Sequence, residues 1–143
     1  MKIEVRYQSR NGNTKAVAEI IADAFGVQAL SIENPLEENA DVLFLGGGVY
    51  EWKMDKDLQK FVEQLSSEKV GQIIAFSTTG IMNSTLDQIK QAAERKGIIV
   101  NKNQLLVKMM LRGHSMLKLT GGNLTEKQQE RVWKFIKKIK EEL

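Results

Sequence analysis

Ser9-Arg10-Asn11-Gly12-Asn13-Thr14 is the stretch of this chain that decides its fold. It comes directly after residues 2–8, which have the alternating pattern of a strand, and leads into residues 14–25, which have the pattern of an amphipathic helix. The first turn of a helix has N–H groups without intrahelical acceptors, and the helix dipole favours negative charge there. A short glycine-containing loop between a strand and a helix therefore indicates an anion site. The open alternative is a plain turn, because turns favour the same residue types.

The side chains and the backbone of this loop match the needs of a phosphate group. Hydroxyl and amide side chains supply hydrogen bonds, and Gly12 lets the backbone close around an oxyanion because it has no Cβ. Arg10 adds a cation nearby. The candidate phosphate-binding residues are Ser9, Arg10, Asn11, Gly12, Asn13 and Thr14.

The composition limits the chemistry that this chain performs unaided. Its 143 residues are the size of one domain, so we predict a single domain spanning residues 1–143. The absence of cysteine excludes disulfides and thiolate metal sites, and the single histidine, His114, argues against a multi-histidine metal site or a Ser/His/Asp triad. We therefore expect no metal site and no catalytic side chains, and redox chemistry requires a bound cofactor.

The charge of the chain favours neither a nucleic acid nor a membrane. The net charge is +3 and the pI about 9.1, but basic residues are interleaved with acidic ones except at Lys134, Lys137, Lys138 and Lys140. These four lie on a predicted helix whose other face is apolar, which indicates a solvated helix face.

A strand pattern begins at the N-terminus, which leaves no room for a signal peptide, and no apolar run is long enough to span a membrane. We expect a cytoplasmic protein.

Strand and helix patterns alternate along the chain. The predicted strands are residues 2–8, 27–32, 42–45, 72–76 and 105–111. The predicted helices are residues 14–25, a segment beginning at Asp55 or Asp57, a segment from Ser84 to Gly97, and a segment that Thr125 and Gln128 cap. This alternation predicts an α/β fold, with a doubly wound five-stranded parallel sheet in the order 2-1-3-4-5 and helices on both faces.

The connection between the second and third strands is unusually short. Residues 33–40 contain Pro35 and are too poorly patterned for a full helix, so we predict that this helix is reduced or missing. The first strand alternates polar and apolar residues, although a central parallel strand is normally apolar throughout. A missing helix explains the alternation if the polar face meets water. We therefore hypothesise that Lys2, Glu4 and Arg6 face solvent.

Three loops converge at the carboxyl ends of the strands, where ligands bind in such sheets. They are residues 9–14, 47–53 and 78–83. The second loop has glycines that let backbone approach a ring and two aromatic residues able to stack on it, and the third offers small hydroxyls to the polar edge of that ring. This is the chemistry of a flavin mononucleotide (FMN) site. The candidate contacts in these two loops are Gly47, Gly48, Val49, Tyr50, Trp52, Thr78, Thr79 and Gly80. The open alternatives are that the two aromatic residues only pack the loop against its helix and that the two threonines only complete a strand.

With these loops identified, the chain resembles the short-chain flavodoxins and flavodoxin-domain proteins over its whole length in element order. The first loop of the family reads Ser/Thr-x-Thr-Gly-x-Thr; Ser9, Gly12 and Thr14 match this pattern, and Asn11 stands where the family has threonine. Residues 46–58 are also similar to the flavin loop of flavodoxin-like menaquinone-dependent protoporphyrinogen oxidases. The chain departs from the family in being basic and in lacking the third-loop tyrosine that stacks on the flavin.

The resemblance implies FMN as the cofactor and electron transfer as the function. It implies a reductase and an acceptor as redox partner proteins, and we expect a monomer or weak homodimer. An electron carrier is favoured over a substrate-transforming oxidoreductase because no general acid is visible among the candidate residues. The alternatives are an FMN-dependent oxidoreductase acting on a quinone or a porphyrinogen, and a cofactor-free flavodoxin-like binding module. A receiver-type signalling domain is disfavoured because Gln8-Ser9 and Gly46 stand where that fold needs acids.

Overall fold

The computed structural model describes residues 1–9, 12–50, 53–54, 56–79, 84–108 and 124–143. The strands in these ranges are β1 (Ile3–Gln8), β2 (Ala29–Ser31), β3 (Ala40–Tyr50), β4 (Lys53–Met54), β5 (Val70–Thr79), β6 (Ile99–Val100) and β7 (Leu105–Lys108). The helices in the same ranges are α1 (Asn13–Ala24), α2 (Lys56–Glu63), α3 (Ser84–Arg95) and α4 (Glu126–Glu142).

The strands form one sheet in the order β2-β1-β3-β5-β6, with β7 also paired to β5. All of these pairings are parallel, whereas the short β4 pairs antiparallel with the end of β3. The predicted order 2-1-3-4-5 is confirmed, because β5 is the predicted fourth strand and β6 and β7 share the fifth place. The two-residue strands β4 and β6 are additions that the sequence pattern did not predict.

The sheet has an apolar core on each face, and the central strands contribute side chains to both cores. On β3, Val42 and Phe44 point to the face that α1 and α4 cover, whereas Leu43 and Leu45 point to the face that α2 and α3 cover. The strand β5 alternates in the same way. Continuous apolar runs in central strands are therefore explained by burial on both sides.

Glycine residues inside β3 continue the strand instead of ending it. We predicted that Gly46, Gly47 and Gly48 end the third strand, and that prediction was wrong, since β3 runs on to Tyr50. The reason is packing: a Cβ on Gly46 would collide with the ring of Phe76 on the neighbouring strand. Gly46 and Gly47 are needed inside the sheet because the side chains of Phe76 and Leu58 occupy the space that their own side chains would take.

The ends of three helices agree with the sequence signals. Gly26 after α1 and Gly97 after α3 have positive φ angles of 69° and 73°, which favour glycine at a helix C-terminus. Thr125 begins α4 with a capping box: its side chain accepts from the Gln128 N–H, and the Gln128 side chain accepts from the Thr125 N–H. These boundaries were predicted from single residues because caps act locally.

The segment between β2 and β3 forms turns without a helix, as predicted. The proposed consequence was wrong for one residue. Lys2 is exposed and Glu4 partly so, but Arg6 is only 3% exposed. Its Nε donates to the Asn34 carbonyl at 2.8 Å, and its Nη1 donates to the Glu4 carboxylate at 2.8 Å. The segment therefore covers the face of β1 that the missing helix leaves, and Arg6 holds it there.

Candidate functional site

The carboxyl ends of three neighbouring strands meet at one edge of the sheet. Gln8 at the end of β1 is paired with Gly47 of β3, and Gly47 is paired with Ser77 of β5. One residue further along, Gly48 is paired with Thr78. The register of the sheet thus brings the start of the first loop, the glycines of the second and the threonines of the third to adjacent positions. We call this place the carboxyl edge.

The N-terminus of α1 lies at the carboxyl edge without a side-chain cap. Its N-cap is Gly12, which has φ 93° and ψ −10°, a left-handed conformation that favours glycine. The first intrahelical bond runs from the Ala16 N–H to the Gly12 carbonyl, at 3.0 Å. The N–H groups of Thr14 and Lys15 precede that bond, so they have no intrahelical acceptor.

The Ser9 hydroxyl is hydrogen-bonded to the N-cap residue of this helix. Its Oγ accepts a hydrogen bond from the Gly12 N–H at 3.0 Å. A hydroxyl that accepts one bond still has its own proton to donate. The turn therefore adds an O–H donor to the helix N–H groups at the same end of α1.

Thr14 and Thr78 form a hydrogen bond between their side chains. The two Oγ1 atoms are 2.7 Å apart, although the residues are 64 positions apart in the chain. Thr14 is 1% exposed and Thr78 is 6% exposed, so the pair is buried. One hydroxyl proton lies between the two oxygens, and the second proton of the pair has no acceptor among the residues that the structure describes.

Two further hydroxyls hold the backbone of β3 where it approaches this edge. The Ser77 Oγ donates to the Gly47 carbonyl at 2.8 Å, and the Thr85 Oγ1 donates to the Gly48 carbonyl at 2.9 Å. Both side chains are fully buried. Both carbonyls thus have a donor within the protein, and both peptide groups have fixed orientations.

One known protein family matches this chain over nearly its whole length. The model of the flavodoxin domain family matches residues 5–143. The chain belongs to the flavodoxin domain family. No curated protein matches the chain.

Solved structures of flavodoxins share the fold. A flavodoxin from the domain Archaea is 20% identical, with a TM-score of 0.62 over 98% of this chain and 99% of that one. Flavodoxin 1 from Bacillus cereus is 18% identical, with a TM-score of 0.65 over 96% and 98%. An NADH:FMN oxidoreductase in its apo form is 16% identical, with a TM-score of 0.65 over 100% and 90%. These TM-scores show a common fold. At such low identities they say nothing about function, which has to be argued from the site.

The structure brings about half of the predicted site residues together at the carboxyl edge. Arg10, Asn11, Trp52 and Gly80 lie outside the described residues, as does His114. For Val49, Tyr50 and Thr79 the description extends to the backbone, which is strand at all three. The predicted residues that meet at this edge are Ser9, Gly12, Asn13, Thr14, Gly47, Gly48 and Thr78.

Sequence reasoning missed Thr85, which holds the Gly48 carbonyl. The signal for it was weak, since Thr85 is a polar residue beside the apolar stripe of α3 that begins at Leu86. Gly47 also has a second reason to be glycine, because a Cβ there would come within 2.8 Å of the Leu58 side chain on α2. The sequence predicted glycine at this position because it lets the backbone approach a ring. The packing of Leu58 is a second reason for glycine there.

The described part of the carboxyl edge donates hydrogen bonds but holds no charged side chain in its network. Ser9, Thr14 and Thr78 are neutral hydroxyls, and the remaining donors are backbone N–H groups. Such a set stabilises an anion by hydrogen bonds and by the helix dipole.

No helix among the described residues is both long enough and apolar enough to cross a bilayer.

Proposed function

We propose that this protein binds FMN at the carboxyl edge and carries electrons between redox partner proteins. The observation that carries the proposal is the excess of donors at the N-terminus of α1. The Ser9 hydroxyl, the Thr14–Thr78 pair and the N–H groups of Thr14 and Lys15 lie at the same end of α1, and among the described residues they have more protons than acceptors. A phosphate dianion supplies acceptors alone, so it fits this region. Membership of the flavodoxin domain family supports FMN as its source.

The residues divide between the two ends of the cofactor. Ser9, Gly12, Asn13 and Thr14 would hold the phosphate, together with Arg10 and Asn11 from the sequence prediction. The glycines of β3 would lie beside the ring, which Tyr50 or Trp52 would cover. Besides these two aromatic residues, the proposed ring contacts are Gly47, Gly48, Val49, Thr79 and Gly80.

FMN supplies the redox chemistry when bound, and the chain determines where the ring lies and which molecules reach it. Ser77 and Thr85 contribute by fixing the Gly47 and Gly48 peptides, so the backbone beside the ring does not need to reorganise on binding. The described network contains no general acid or base, which favours a carrier over an enzyme that protonates a substrate. The partners would then be a reductase and an acceptor, and the compartment the cytoplasm.

The phosphate site is tested by comparing FMN with riboflavin, which lacks the phosphate. The protein is loaded with each flavin, desalted, and titrated by fluorescence quenching. We expect a retained visible flavin spectrum with FMN and at least a tenfold tighter Kd for FMN, which corresponds to about 1.4 kcal/mol. Asn11→Asp should reduce that ratio, because it adds a negative charge beside the phosphate.

Asn39→Asp is the matched control. It makes the same charge change at an exposed residue that precedes β3, at the opposite end of the strand. We expect it to leave the FMN-to-riboflavin ratio unchanged. A wild-type protein that keeps no flavin after desalting would contradict the proposal and leave the cofactor-free binding module. Equal effects of the two substitutions would contradict the phosphate assignment.

A second assay separates the carrier from the oxidoreductase alternative. The FMN-loaded, reduced protein is mixed with a one-electron acceptor protein and, separately, with a quinone or a porphyrinogen. A carrier should react with the acceptor protein at a rate proportional to its concentration and should not saturate with the small molecules. Saturation by a quinone or porphyrinogen, with product formed over many turnovers, would favour the enzyme.

A further inference from the structure

We propose that Thr78 is a positioning residue for the phosphate, acting through the hydroxyl of Thr14. This inference rests on the proposed FMN function. The sequence pattern assigned Thr78 to the polar edge of the ring, but its hydroxyl lies 2.7 Å from the Thr14 hydroxyl in the first turn of α1. Thr78 thereby adds a residue of β5 to the proposed phosphate site, whose other residues lie between the end of β1 and the start of α1.

The geometry makes this pair a fixed link between two elements. Thr78 lies on β5 and Thr14 on α1, and both are at least nine-tenths buried. A threonine hydroxyl at the start of a helix otherwise rotates between partners, because its χ1 has more than one allowed state. The Thr78 oxygen selects one orientation for Thr14 before any ligand arrives, which lowers the ordering cost of binding.

A bound anion fixes the direction of the hydrogen bond. A phosphate dianion accepts hydrogen bonds and donates none, so Thr14 must give it the proton of its own hydroxyl. The Thr14 oxygen then accepts from the only other hydroxyl in the pair, that of Thr78. The chain of donors therefore runs from Thr78 to Thr14 to the phosphate. Each bond in such a chain strengthens the next, because a hydroxyl that accepts a bond becomes a better donor.

The count of protons supports this direction. The pair has two hydroxyl protons and one bond between them, so one proton is left for a further acceptor. By contrast, the neighbouring hydroxyls of Ser77 and Thr85 donate their single protons to the carbonyls of Gly47 and Gly48. Within the part of the chain that the structure describes, the pair is therefore the one place among these four buried hydroxyls with a proton that has no acceptor.

The test is a double-mutant cycle read as the ratio of FMN to riboflavin affinity. Thr78→Val keeps the shape of the side chain and removes the hydroxyl, and it should weaken FMN about tenfold while leaving riboflavin within twofold. Thr14→Val should weaken FMN by at least as much. The double variant should match Thr14→Val alone, because Thr78 acts only through Thr14.

Thr78→Ser is the conservative control, since it keeps the hydroxyl, and it should restore the FMN-to-riboflavin ratio to within twofold of wild type. Thr78→Ala serves as the second variant if the valine protein does not fold. Denaturant unfolding without flavin measures stability separately. A purely structural role would lower stability and weaken both flavins alike.

The outcomes separate this inference from the proposed function. A wild-type protein without preference for FMN would overturn both. A wild-type preference that survives Thr78→Val and Thr78→Ala would overturn the positioning role alone. Additive losses in the double variant would do the same, because they would mean that Thr78 reaches the phosphate without Thr14. Equal weakening of both flavins without a loss of stability would return Thr78 to the ring edge.

Discussion

Two buried polar networks lie on this sheet, and they differ in whether their donors are used. The Arg6 network on the face of β1 donates to Asn34, Pro35, Val5 and Glu4, so its guanidinium has acceptors on every nitrogen. The hydroxyl network at the carboxyl edge is formed by Thr14, Ser77, Thr78 and Thr85, and one proton of its Thr14–Thr78 pair has no acceptor among the residues that the structure describes. Each of the three Arg6 nitrogens thus has an acceptor, whereas one hydroxyl proton of the Thr14–Thr78 pair has none among the described residues. A buried hydroxyl proton without an acceptor needs an explanation, and a bound ligand is one.

The same difference follows from what each network replaces. Arg6 holds the segment after β2 in the place of a missing helix, so its acceptors are backbone carbonyls of that segment. The hydroxyl network lies at the end of α1 where the N–H groups of Thr14 and Lys15 have no intrahelical acceptor. One network compensates for lost structure, and the other adds donors where donors were already in excess. This distinction is open to direct tests.

Arg6→Met should give the largest loss of stability. It removes four hydrogen bonds, leaves several carbonyls without their donor, and leaves Glu4 with only the longer ion pair to Lys2, at 3.8 Å. Removing one partner of a buried ion pair costs about 3 to 5 kcal/mol, and because Glu4 remains partly exposed we expect about 2 to 4 kcal/mol. Urea unfolding monitored by circular dichroism measures the loss.

Lys2→Met is the matched control for Arg6. It removes a cation from the residue directly before β1, which shares Glu4 as a partner with Arg6, but Lys2 is exposed and its partners are the Glu4 and Glu38 carboxylates. Its unfolding midpoint should stay close to that of the wild type. The FMN-to-riboflavin ratio should be unchanged in both variants. A shift of that ratio in Arg6→Met would mean that the two networks are coupled.

Thr85→Val should give a smaller loss and sharpen the contrast within the carboxyl edge. It leaves the buried carbonyl of Gly48 without its donor, which costs about 1 to 3 kcal/mol. Thr85→Ser keeps the hydroxyl and should recover most of that loss. The same unfolding experiment on Thr78→Val should show less, because the Thr14 hydroxyl is free to turn to another partner. A larger stability loss from Thr78→Val than from Thr85→Val would contradict the distinction between spare and used donors.

The sequence predicted those features that depend on neighbours in the chain. The strands, the stop of α1 at Gly26 and the cap at Thr125 each follow from a local pattern, and the sheet order follows from the alternation of elements. The burial of Arg6 was missed because it depends on where Asn34 lies, 28 residues away. The continuation of β3 through its glycines was missed because Phe76 on another strand makes it possible.

The candidate site divides in the same way. The loop before α1 was found from its own residues, since a strand, a glycine and a helix start are adjacent in sequence. The bond between Thr14 and Thr78 was not found, because only the register of β3 against β5 brings these distant residues to one edge. Local chemistry therefore led to the proposed anion site, and the tertiary structure showed that the Thr78 hydroxyl lies beside Thr14 of that loop.

Thr125→Ala should have the smallest effect and tests whether stability alone alters flavin affinity. It removes the oxygen that accepts from the Gln128 N–H at 3.2 Å, while Gln128 keeps its own bond from Nε2 to the Lys108 carbonyl of β7 at 2.8 Å. Loss of an N-cap costs about 1 kcal/mol, and Thr125→Ser should restore it because serine caps equally well. The cap lies in neither network, so the FMN-to-riboflavin ratio should match wild type. If that ratio fell with stability in Thr125→Ala, losses of affinity in Thr78→Val would no longer report on the phosphate, and the contrast between the two networks would fail.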